Sequence, residues 1–432
     1  MNKYIEAYNS KKVSIEEALS VIRPDDEVIT SIGPLEPMEI MSRLHTIRDK
    51  VNKIKIWNGL NMGVYDFCSK SEMRDNYELR SWFYSAPTRK AQGVGIASYE
   101  PGNLHNIFIR KLQEKSPNIF IGTVAPMDKH GYFRFSLSVV YEKECFEAAD
   151  IVILEVNPNL PQVHGDTEIH ISDVDYIVEI DRPLPELPKT KISEVNKKIG
   201  ENVASLVNDG DTIQLGIGQI PDAVAMSFMS KKDLGIHTEM ISNSIVDLVE
   251  AGVITGKKKN INKGKIVGTF ALGSKRLYDF MDNNPSIRLM RGSYVNDPYV
   301  IAQNDNMVSI NTALEVDLTG QVCSESIGSL HFSGTGGQND FSEGAIHSKN
   351  GRSIIALHST AKKGTISTIR PCLSQGAVVT LSRNNIDYIV TEYGIANLKA
   401  KTVKERVDSL ISIAHPNFRE ELEKEAIGLS LK

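Results

Sequence analysis

Short runs of β-branched and other apolar residues recur along the chain, and helical patterns follow some of them. Runs of this kind, bounded by turn residues, are typical of buried strands. They include residues 213–215, 265–268, 308–310 and 353–357. The helical pattern at 221–229 begins with a proline, which the first turn of a helix tolerates. Alternation of strand, turn and helix predicts open, mostly parallel α/β sheets, in which ligands bind outside the carboxyl ends of the strands.

The pattern also repeats within the chain. Residues 22–33 resemble 207–218, and one offset aligns Asp26 with Asp211 and Gly33 with Gly218 (211 − 26 = 218 − 33 = 185). Two further matches follow in the same order, 128–133 with 317–322 and 150–155 with 387–392. Each match is weak alone, but three in one order predict a pseudo-duplicated chain of two similar α/β domains.

A proline-rich stretch, residues 183–188, separates the two halves. Proline cannot donate to a sheet, so this stretch predicts a connector, with the boundary between 183 and 195. We therefore predict an N-terminal domain over 1–185 and a C-terminal domain over 186–432.

Composition narrows the function classes. The 432 residues carry a formal net charge of −5, which argues against a nucleic-acid binder. No segment reaches the roughly 18 apolar residues of a membrane helix, and the N-terminus lacks the apolar region of a secretory signal. The four cysteines are scattered without a CxxC pair. These features predict a protein of the cytoplasm, a reducing compartment, with no membrane partner.

Two glycine-rich segments are candidates for ligand contact. Residues 216–221, Gly-Ile-Gly-Gln-Ile-Pro, follow a predicted strand and open a predicted helix, where backbone N–H groups face anions. Pro221 stands where a dinucleotide fold has its third glycine, which argues against a nicotinamide site. The alternative is a tight turn without a ligand. Residues 333–341 hold three glycines within four positions and suit a phosphate cradle or an oxyanion contact.

Glu239, in His237-Thr238-Glu239, is the candidate catalytic residue. Apolar neighbours on both sides predict partial burial, which raises a carboxyl pKa and strips its hydration. A desolvated carboxylate is a competent nucleophile toward an activated acyl group. Three other glutamates beside apolar runs leave alternatives open: Glu155, Glu315 and Glu392.

Other motifs give weaker signals. Residues 164–170 hold four potential metal ligands but lack zinc-protease spacing, so a polar loop is favoured over a metal site. Five lysines between 257 and 265 indicate a solvated turn, or a basic loop that attracts phosphates. There is no GxSxG elbow and no Walker loop, so serine-hydrolase and NTPase chemistry have no support.

Taken together, five ordered motifs resemble the acetyl-CoA hydrolase/transferase family, and most closely its short 4-hydroxybutyrate and butyrate CoA-transferases. The resemblance covers essentially the whole chain. Its motifs are residues 216–221, 237–240, 315–322, 334–341 and 391–396.

The resemblance implies the family I CoA-transferase fold and a ping-pong reaction with a coenzyme A thioester as substrate, without a permanently bound cofactor or metal. Glu239 would form an acyl-glutamyl anhydride and then a glutamyl-CoA thioester. The positions expected to contact CoA or the oxyanion are Gly216, Ile217, Gly218, Gln219, Ile220, Leu314, Gly336 and Gly337. A homodimer is also expected. The candidates for the acyl pocket are Tyr65, Tyr84, Gln92 and His331.

Two alternatives stay open at this point. A hydrolase on the same scaffold would use water in place of the second carboxylate. A non-catalytic protein could keep the CoA-binding loops without the chemistry. The acyl group is also open, because a methylene or hydroxyl changes binding by only about 1 to 3 kcal/mol.

Overall fold

The computed structural model describes residues 3–188 and 191–432. The chain divides into two compact units. The first comprises Met1–Leu187 and Gly268–Tyr294, and the second comprises Pro188–Val267 and Val295–Lys432. The predicted boundary region, 183–195, includes residues 189 and 190, which lie outside the described residues. The segment 268–294, which the prediction assigned to the second domain, belongs to the first unit.

The strands are short and spread over both units. In chain order, β1 to β26 are Glu27–Thr30, Ile54–Trp57, Tyr77–Ser81, Ala97–Tyr99, Ile119–Val124, Tyr132–Arg134, Ile151–Val156, Glu168–His170, Tyr176–Glu179, Thr212–Leu215, Gly235–Ile236, Met240–Ile241, Ile266–Gly268, Phe270–Ala271, Ile287–Leu289, Met307–Thr312, Glu315–Asp317, Val322–Cys323, Ser326–Ile327, Leu330–His331, Arg352–Ala356, Thr360–Ala361, Ile366–Ser367, Ile369–Arg370, Tyr388–Thr391 and Gly394–Asn397.

The helices alternate with these strands. In chain order, α1 to α16 are Lys3–Lys11, Ile15–Ser20, Met38–Arg43, Asp66–Ser69, Ala86–Gly93, Ile107–Glu114, Glu142–Ala148, Glu194–Ser205, Gln219–Ser227, Asn243–Glu250, Lys275–Met281, Gly292–Val295, Pro298–Ile301, Gln338–His347, Val403–Ile413 and Pro416–Gly428. Short 3-10 turns lie at Gly33–Leu35, Leu44–Lys50, Ser71–Met73, Ile171–Asp173 and Lys362–Gly364. Within the described residues, no helix has the length and apolarity required to span a bilayer.

The first unit is built on a seven-stranded parallel sheet in the order β4-β3-β2-β1-β5-β7-β9. The register places Val28 beside Ile56 on one side and Ile119 on the other. All four residues of β1 and all six of β5 are buried, as expected for strands covered on both faces.

The second unit has a six-stranded sheet in the order β11-β10-β16-β21-β25-β26. Its strands pair in parallel except β26, which runs antiparallel to β25. Ile213 lies between Ile236 and Val308 in the register. The prediction of two open, mostly parallel α/β sheets is confirmed.

The first two repeat matches also hold in detail. Strands β1 and β10 begin at the same offset as the sequence match (212 − 27 = 185). Asp26 accepts from the backbone N–H three residues before it at 2.8 Å, and Asp211 does the same at 2.7 Å. In the second match, Asp128 and Asp317 each accept from the N–H groups two and four residues later. The shared turns show that the two halves are built alike.

The third match, between 150–155 and 387–392, is wrong. Strand β7 lies beside β5, whereas the strand in that place in the second sheet is β21, beside β16. Asp387 accepts from the Ser353 N–H at 3.0 Å, and Asp175 accepts from the Val152 N–H at 2.8 Å. The counterpart of Asp387 is therefore Asp175. Buried parallel strands are all apolar and β-branched, so similarity between two of them does not fix their order.

Helices α8 and α9 prepare the edge of the second sheet. The Ser193 side chain caps α8, and α9 begins directly after Gly218, with Pro221 in its first turn. A Cβ on Gly200 would lie 2.5 Å from the Ala223 carbonyl oxygen. The glycine therefore lets the two helices approach closely.

Candidate active site

Glu239 lies just beyond the carboxyl end of β11, beside the end of β10. Between the two strands, the Leu215 N–H donates to the Thr238 hydroxyl oxygen at 3.3 Å. The same hydroxyl lies 3.3 Å from the carbonyl oxygens of Leu215 and Met240. Because Leu215 directly precedes Gly216, the Thr238 contacts connect the segment of the candidate catalytic residue to the start of the first glycine segment.

The carboxylate of Glu239 is held by two donors. Asn296 Nδ2 donates to Oε2 at 2.9 Å, and the Gly337 N–H also donates to the carboxylate. A Cβ on Gly337 would lie 2.0 Å from Glu239 Oε2 and 2.4 Å from Asn296 Nδ2. Position 337 therefore has no room for a side chain. Glu239 is partly exposed, so a small reactant can reach it.

The surroundings make Glu239 a weak acid. Loss of hydration on burial raises its pKa to about 7, and the nearby Asp340 adds to the rise. The hydrogen bonds from Asn296 and Gly337 oppose it. Gly337 also caps α14, so the carboxylate faces the start of that helix, where anions are favoured. A carboxylate of this kind is ionised in useful amounts at neutral pH and poorly hydrated.

His237 supports the site without acting as an acid or base. Burial, aided by the charge of Lys259, lowers its pKa to about 3, so the ring stays neutral. Its Nε2 donates to the Val295 carbonyl oxygen at 2.8 Å. Because Asn296 directly follows Val295, His237 fixes the backbone next to the asparagine whose side chain donates to Glu239.

One lysine of the predicted basic loop is buried instead of solvated. Lys259 is 3% exposed and donates to the carbonyl oxygens of Ile236 at 2.6 Å and Lys265 at 2.9 Å. Burial lowers its pKa to about 7. Lys257, Lys258 and Lys263 are exposed, as predicted. The expectation of a solvated turn fails for Lys259 because its ammonium group satisfies two carbonyl groups behind the Glu239 segment.

The first glycine segment is open to ligands. Gly218 has φ 115°, a conformation that favours glycine. A Cβ there would meet nothing within 4 Å, and one on Gly216 would meet only Pro221 Cγ, at 3.9 Å. Ile217 and Gln219 are exposed, while Ile220 is buried in α9. A ligand can therefore approach this backbone directly.

The equivalent turn of the first unit is closed. Residues 31–37 are all buried, and the Ile32 N–H donates to Oε1 of Glu142 at 3.2 Å. Glu142 is itself fully buried. In the first unit, the backbone of this turn is therefore bound by a carboxylate of the protein itself. Only the equivalent turn of the second unit is accessible to a ligand.

The second glycine segment contacts Glu239 through Gly337. Gly336 has φ 53°, and Gly337 makes the contacts described above. Leu314 follows β16 at the carboxyl edge of the same sheet, is partly exposed, and donates from its N–H to the Cys323 carbonyl oxygen at 2.9 Å. The structure thus brings Glu239, Gly337 and the root of the 216–220 turn together, and places Leu314 on the same edge.

The three alternative glutamates have other environments. Glu155 is buried in the first unit, where Ile40 N–H donates to it at 2.7 Å. Glu315 accepts from the N–H and hydroxyl of Ser374, both at 2.7 Å. Glu392 accepts from Ser359 in the same way, at 3.0 and 2.6 Å. Glu155 is bound by the first turn of α3, and Glu315 and Glu392 are bound by serines of neighbouring loops, whereas Glu239 faces the glycine backbone.

The other candidates from the sequence have ordinary roles. In residues 164–170, Asp166 pairs with Arg291 at 2.5 Å and His170 bonds the Ser172 hydroxyl at 2.7 Å. No cluster of three potential metal ligands occurs in the part of the chain that the structure describes. Of the acyl-pocket candidates, Tyr65 and Tyr84 are 4% and 1% exposed, whereas Gln92 and His331 are partly exposed.

Two residues of the site were not predicted from the sequence. Asn296 lies 57 positions after Glu239 (296 − 239), beyond the segment 268–294 that joins the first unit, so no local pattern links the two. Lys259 was hidden among exposed lysines. Its position two residues after the exposed Lys257 gives no distinct signal.

Comparison with known proteins agrees with this architecture. The acetyl-CoA hydrolase/transferase N-terminal domain model matches residues 1–188, and the C-terminal domain model matches 273–426. A 4-hydroxybutyrate coenzyme A transferase of Clostridium kluyveri is 47% identical over 97% of this chain and 98% of its own length. A probable butyrate:acetyl-CoA coenzyme A-transferase of Syntrophomonas wolfei is 40% identical over 99% and 98%. The crystal structure of RipA from Yersinia pestis is 36% identical, with a TM-score of 0.95 over 99% of this chain and all of that one.

The chain therefore belongs to the acetyl-CoA hydrolase/transferase family. Its curated relatives place it among the CoA-transferases, enzymes whose substrates are CoA thioesters. The relatives differ in the acyl group whose CoA thioester they use, so the family alone does not assign the substrate.

Proposed function

We propose that this enzyme moves CoA between a short-chain acyl-CoA and a carboxylate in a ping-pong reaction with Glu239 as nucleophile. The acyl pair is 4-hydroxybutyryl-CoA or butyryl-CoA with acetate, by analogy with the Clostridium kluyveri and Syntrophomonas wolfei relatives. The observation that carries the proposal is the setting of Glu239, a poorly hydrated carboxylate that is held by two donors yet reachable.

The first half-reaction exchanges bonds in two steps. A Glu239 carboxylate oxygen attacks the thioester carbonyl carbon, the C–S bond breaks, and CoA leaves as the thiolate with an acyl-glutamyl anhydride left behind. The thiolate then attacks Glu239 Cδ, releasing the acyl group as a carboxylate and forming the glutamyl-CoA thioester. The acceptor carboxylate collects CoA by the reverse steps.

The residues around Glu239 have separate tasks in this scheme. Asn296 and the Gly337 N–H orient the carboxylate, and their donors can also bind the oxyanion that forms at Glu239 Cδ. The open backbone of Gly216 and Gly218, together with Leu314 and Gly336, is assigned to CoA contact. Loss of one preorganised donor at an oxyanion typically costs about 3 to 4 kcal/mol.

Trapping tests the nucleophile. The enzyme is incubated with butyryl-CoA, reduced with borohydride and digested, and the peptides are weighed. A reduced glutamyl thioester at Glu239 is the expected result. A label on Glu315 or Glu392 would assign the nucleophile elsewhere.

The second candidate function is thioester hydrolysis, because the family itself includes hydrolases. Transfer to acetate and release of free CoA are measured in the same assay. Transfer that exceeds release, with parallel double-reciprocal lines, supports the transferase. Release of CoA at the same rate without any carboxylate would favour the hydrolase, and CoA binding without turnover would favour a non-catalytic protein.

A further inference from the structure

Three side chains from separate segments form a hydrogen-bonded row behind the first glycine segment. His358 Nε2 lies 2.5 Å from Asn196 Oδ1, and Asn196 Nδ2 lies 3.2 Å from Gln219 Oε1. His358 follows β21, Asn196 lies in the first turn of α8, and Gln219 opens α9 directly after Gly218. The row therefore ends on the exposed residue of the glycine turn.

The middle residue of the row is fixed. Asn196 is fully buried, and its backbone N–H donates to the Ser193 hydroxyl that caps α8, at 3.2 Å. Gly200, one turn later, is a point of close approach between α8 and α9. A buried amide needs partners for both its oxygen and its nitrogen, and His358 and Gln219 supply them.

The row has a direction. In this arrangement the Asn196 oxygen faces His358 Nε2, and because an amide oxygen only accepts, the ring nitrogen is the donor of this contact. The Asn196 nitrogen in turn donates to the Gln219 oxygen. Turning the Gln219 amide over would set two NH2 groups against each other, which no hydrogen bond can join. The Gln219 NH2 group is left pointing away from the row, and within residues 3–188 and 191–432 no group accepts from it.

We infer that Asn196 and His358 are positioning residues, which hold Gln219 so that its amide N–H groups meet an acceptor oxygen of the bound CoA thioester. The inference rests on the proposed function, since it takes CoA as the ligand of the glycine turn. It adds two residues from outside the turn and assigns the turn a side-chain donor. Phosphate and amide carbonyl oxygens of CoA are acceptors of the required kind.

Reversal of the donor tests the inference. In Asn196→Asp the carboxylate cannot donate, so Gln219 would turn its NH2 group inward and present its oxygen to the ligand. The dissociation constant of CoA, measured by calorimetry, is expected to rise about 3- to 10-fold, the effect of one lost hydrogen bond. Gln219→Leu should give the same rise. The double variant should bind CoA no more weakly than Gln219→Leu alone.

Asn202→Asp is the matched control. Asn202 lies on the same helix, and its amide donates to the Thr391 carbonyl oxygen at 2.9 Å, away from the row. It should leave the CoA dissociation constant unchanged. In the Asn196 and Gln219 variants, KM for acyl-CoA should change more than kcat. If Asn196→Asp does not fold, His358→Phe, which removes the donor, is compared with His358→Gln, which keeps one; only the former should weaken binding.

Three outcomes overturn the inference. They are an unchanged dissociation constant in Asn196→Asp or His358→Phe, losses that add in the double variant, and an equal loss in Asn202→Asp. Failure of the proposed function is recognised separately, in the unaltered enzyme: absence of CoA binding there overturns both, whereas normal CoA transfer combined with any of the three outcomes overturns only the positioning role.

Discussion

Asn296 Nδ2 donates to Glu239 Oε2 over 2.9 Å, and His237 holds the residue before Asn296 by its carbonyl oxygen. The tripeptide His237-Thr238-Glu239 thus contains the proposed nucleophile and two residues that fix its surroundings. Its histidine places the donor, its threonine binds the neighbouring strand, and its glutamate receives both the amide and the Gly337 N–H.

Removal of the amide should weaken the acid. Asn296→Ala deletes a hydrogen bond to a charged group, worth about 1.5 to 3 kcal/mol, so we expect kcat/KM to fall about 10- to 100-fold. Because that bond lowers the Glu239 pKa, the acid limb of the pH–rate profile should move to higher pH. Gln303→Ala, at an exposed amide seven positions later in the chain (303 − 296), is the control. An acid limb at its original pH would contradict the assigned contact.

A methyl group at position 337 should disable the site more severely. Gly337→Ala puts a carbon 2.0 Å from Glu239 Oε2, so either the carboxylate or the start of α14 must move. We expect kcat to fall at least about 100-fold, since displacements near 1 Å have that effect on positioned groups. Steady-state kinetics and circular dichroism measure activity and folding. Gly428→Ala, where an added Cβ meets nothing within 4 Å, should leave both unchanged.

The raised pKa of Glu239 also predicts how stability depends on pH. The folded protein holds the proton up to about pH 7 and the unfolded chain only to about 4.5, so the folded state loses stability as pH rises between those values. Glu239→Gln removes the ionisation. Its free energy of unfolding should therefore exceed that of the unaltered protein at pH 8 by about 1 to 3 kcal/mol, and the difference should shrink toward pH 4.5.

Urea unfolding at pH 5, 6, 7 and 8 measures this difference. Glu392→Gln, at a glutamate bound by Ser359, serves as the comparison, because a general effect of losing one negative charge would appear there too. A constant difference between Glu239→Gln and the unaltered protein at every pH would show that the carboxyl pKa is not raised in the folded state.

Much of the fold can be predicted from the sequence because the spacing of apolar residues and the choice of turn residues are features of short stretches of chain. The turns at Asp26 and Asp211 repeat down to their backbone donors. The order of the strands is set instead by packing across the sheet, which the local sequence does not encode. The match of Asp387 with Asp150 is wrong because it used only local similarity. The inclusion of 268–294 in the first unit is likewise a long-range fact that no local pattern encodes.

The site was predictable in part for the same reason. Glu239 and the two glycine segments stand out because charge or glycine is unusual beside apolar runs. Asn296, Asn196 and His358 are ordinary polar residues in the sequence, and only the meeting of distant segments gives them partners. Sequence therefore identifies the candidate ligand-binding groups better than the groups that contact them from distant segments.

Lys259 provides a last test of that second kind of residue. Its ammonium group satisfies the Ile236 carbonyl, one residue before His237, and the Lys265 carbonyl. Lys259→Met keeps most of the apolar stem but leaves both carbonyl groups without this donor, which costs about 1 to 3 kcal/mol for each unsatisfied group. The removed lysine was itself costly to bury below its pKa of about 7, so the net loss of stability should be smaller at pH 6 than at pH 9. We expect kcat to fall as well, because the Glu239 segment loses its support.

Lys263→Met, at an exposed lysine of the same loop, should change neither stability nor kcat. Equal effects of the two substitutions on the CoA dissociation constant, without loss of stability in Lys259→Met, would instead mean that the loop acts by attracting phosphates.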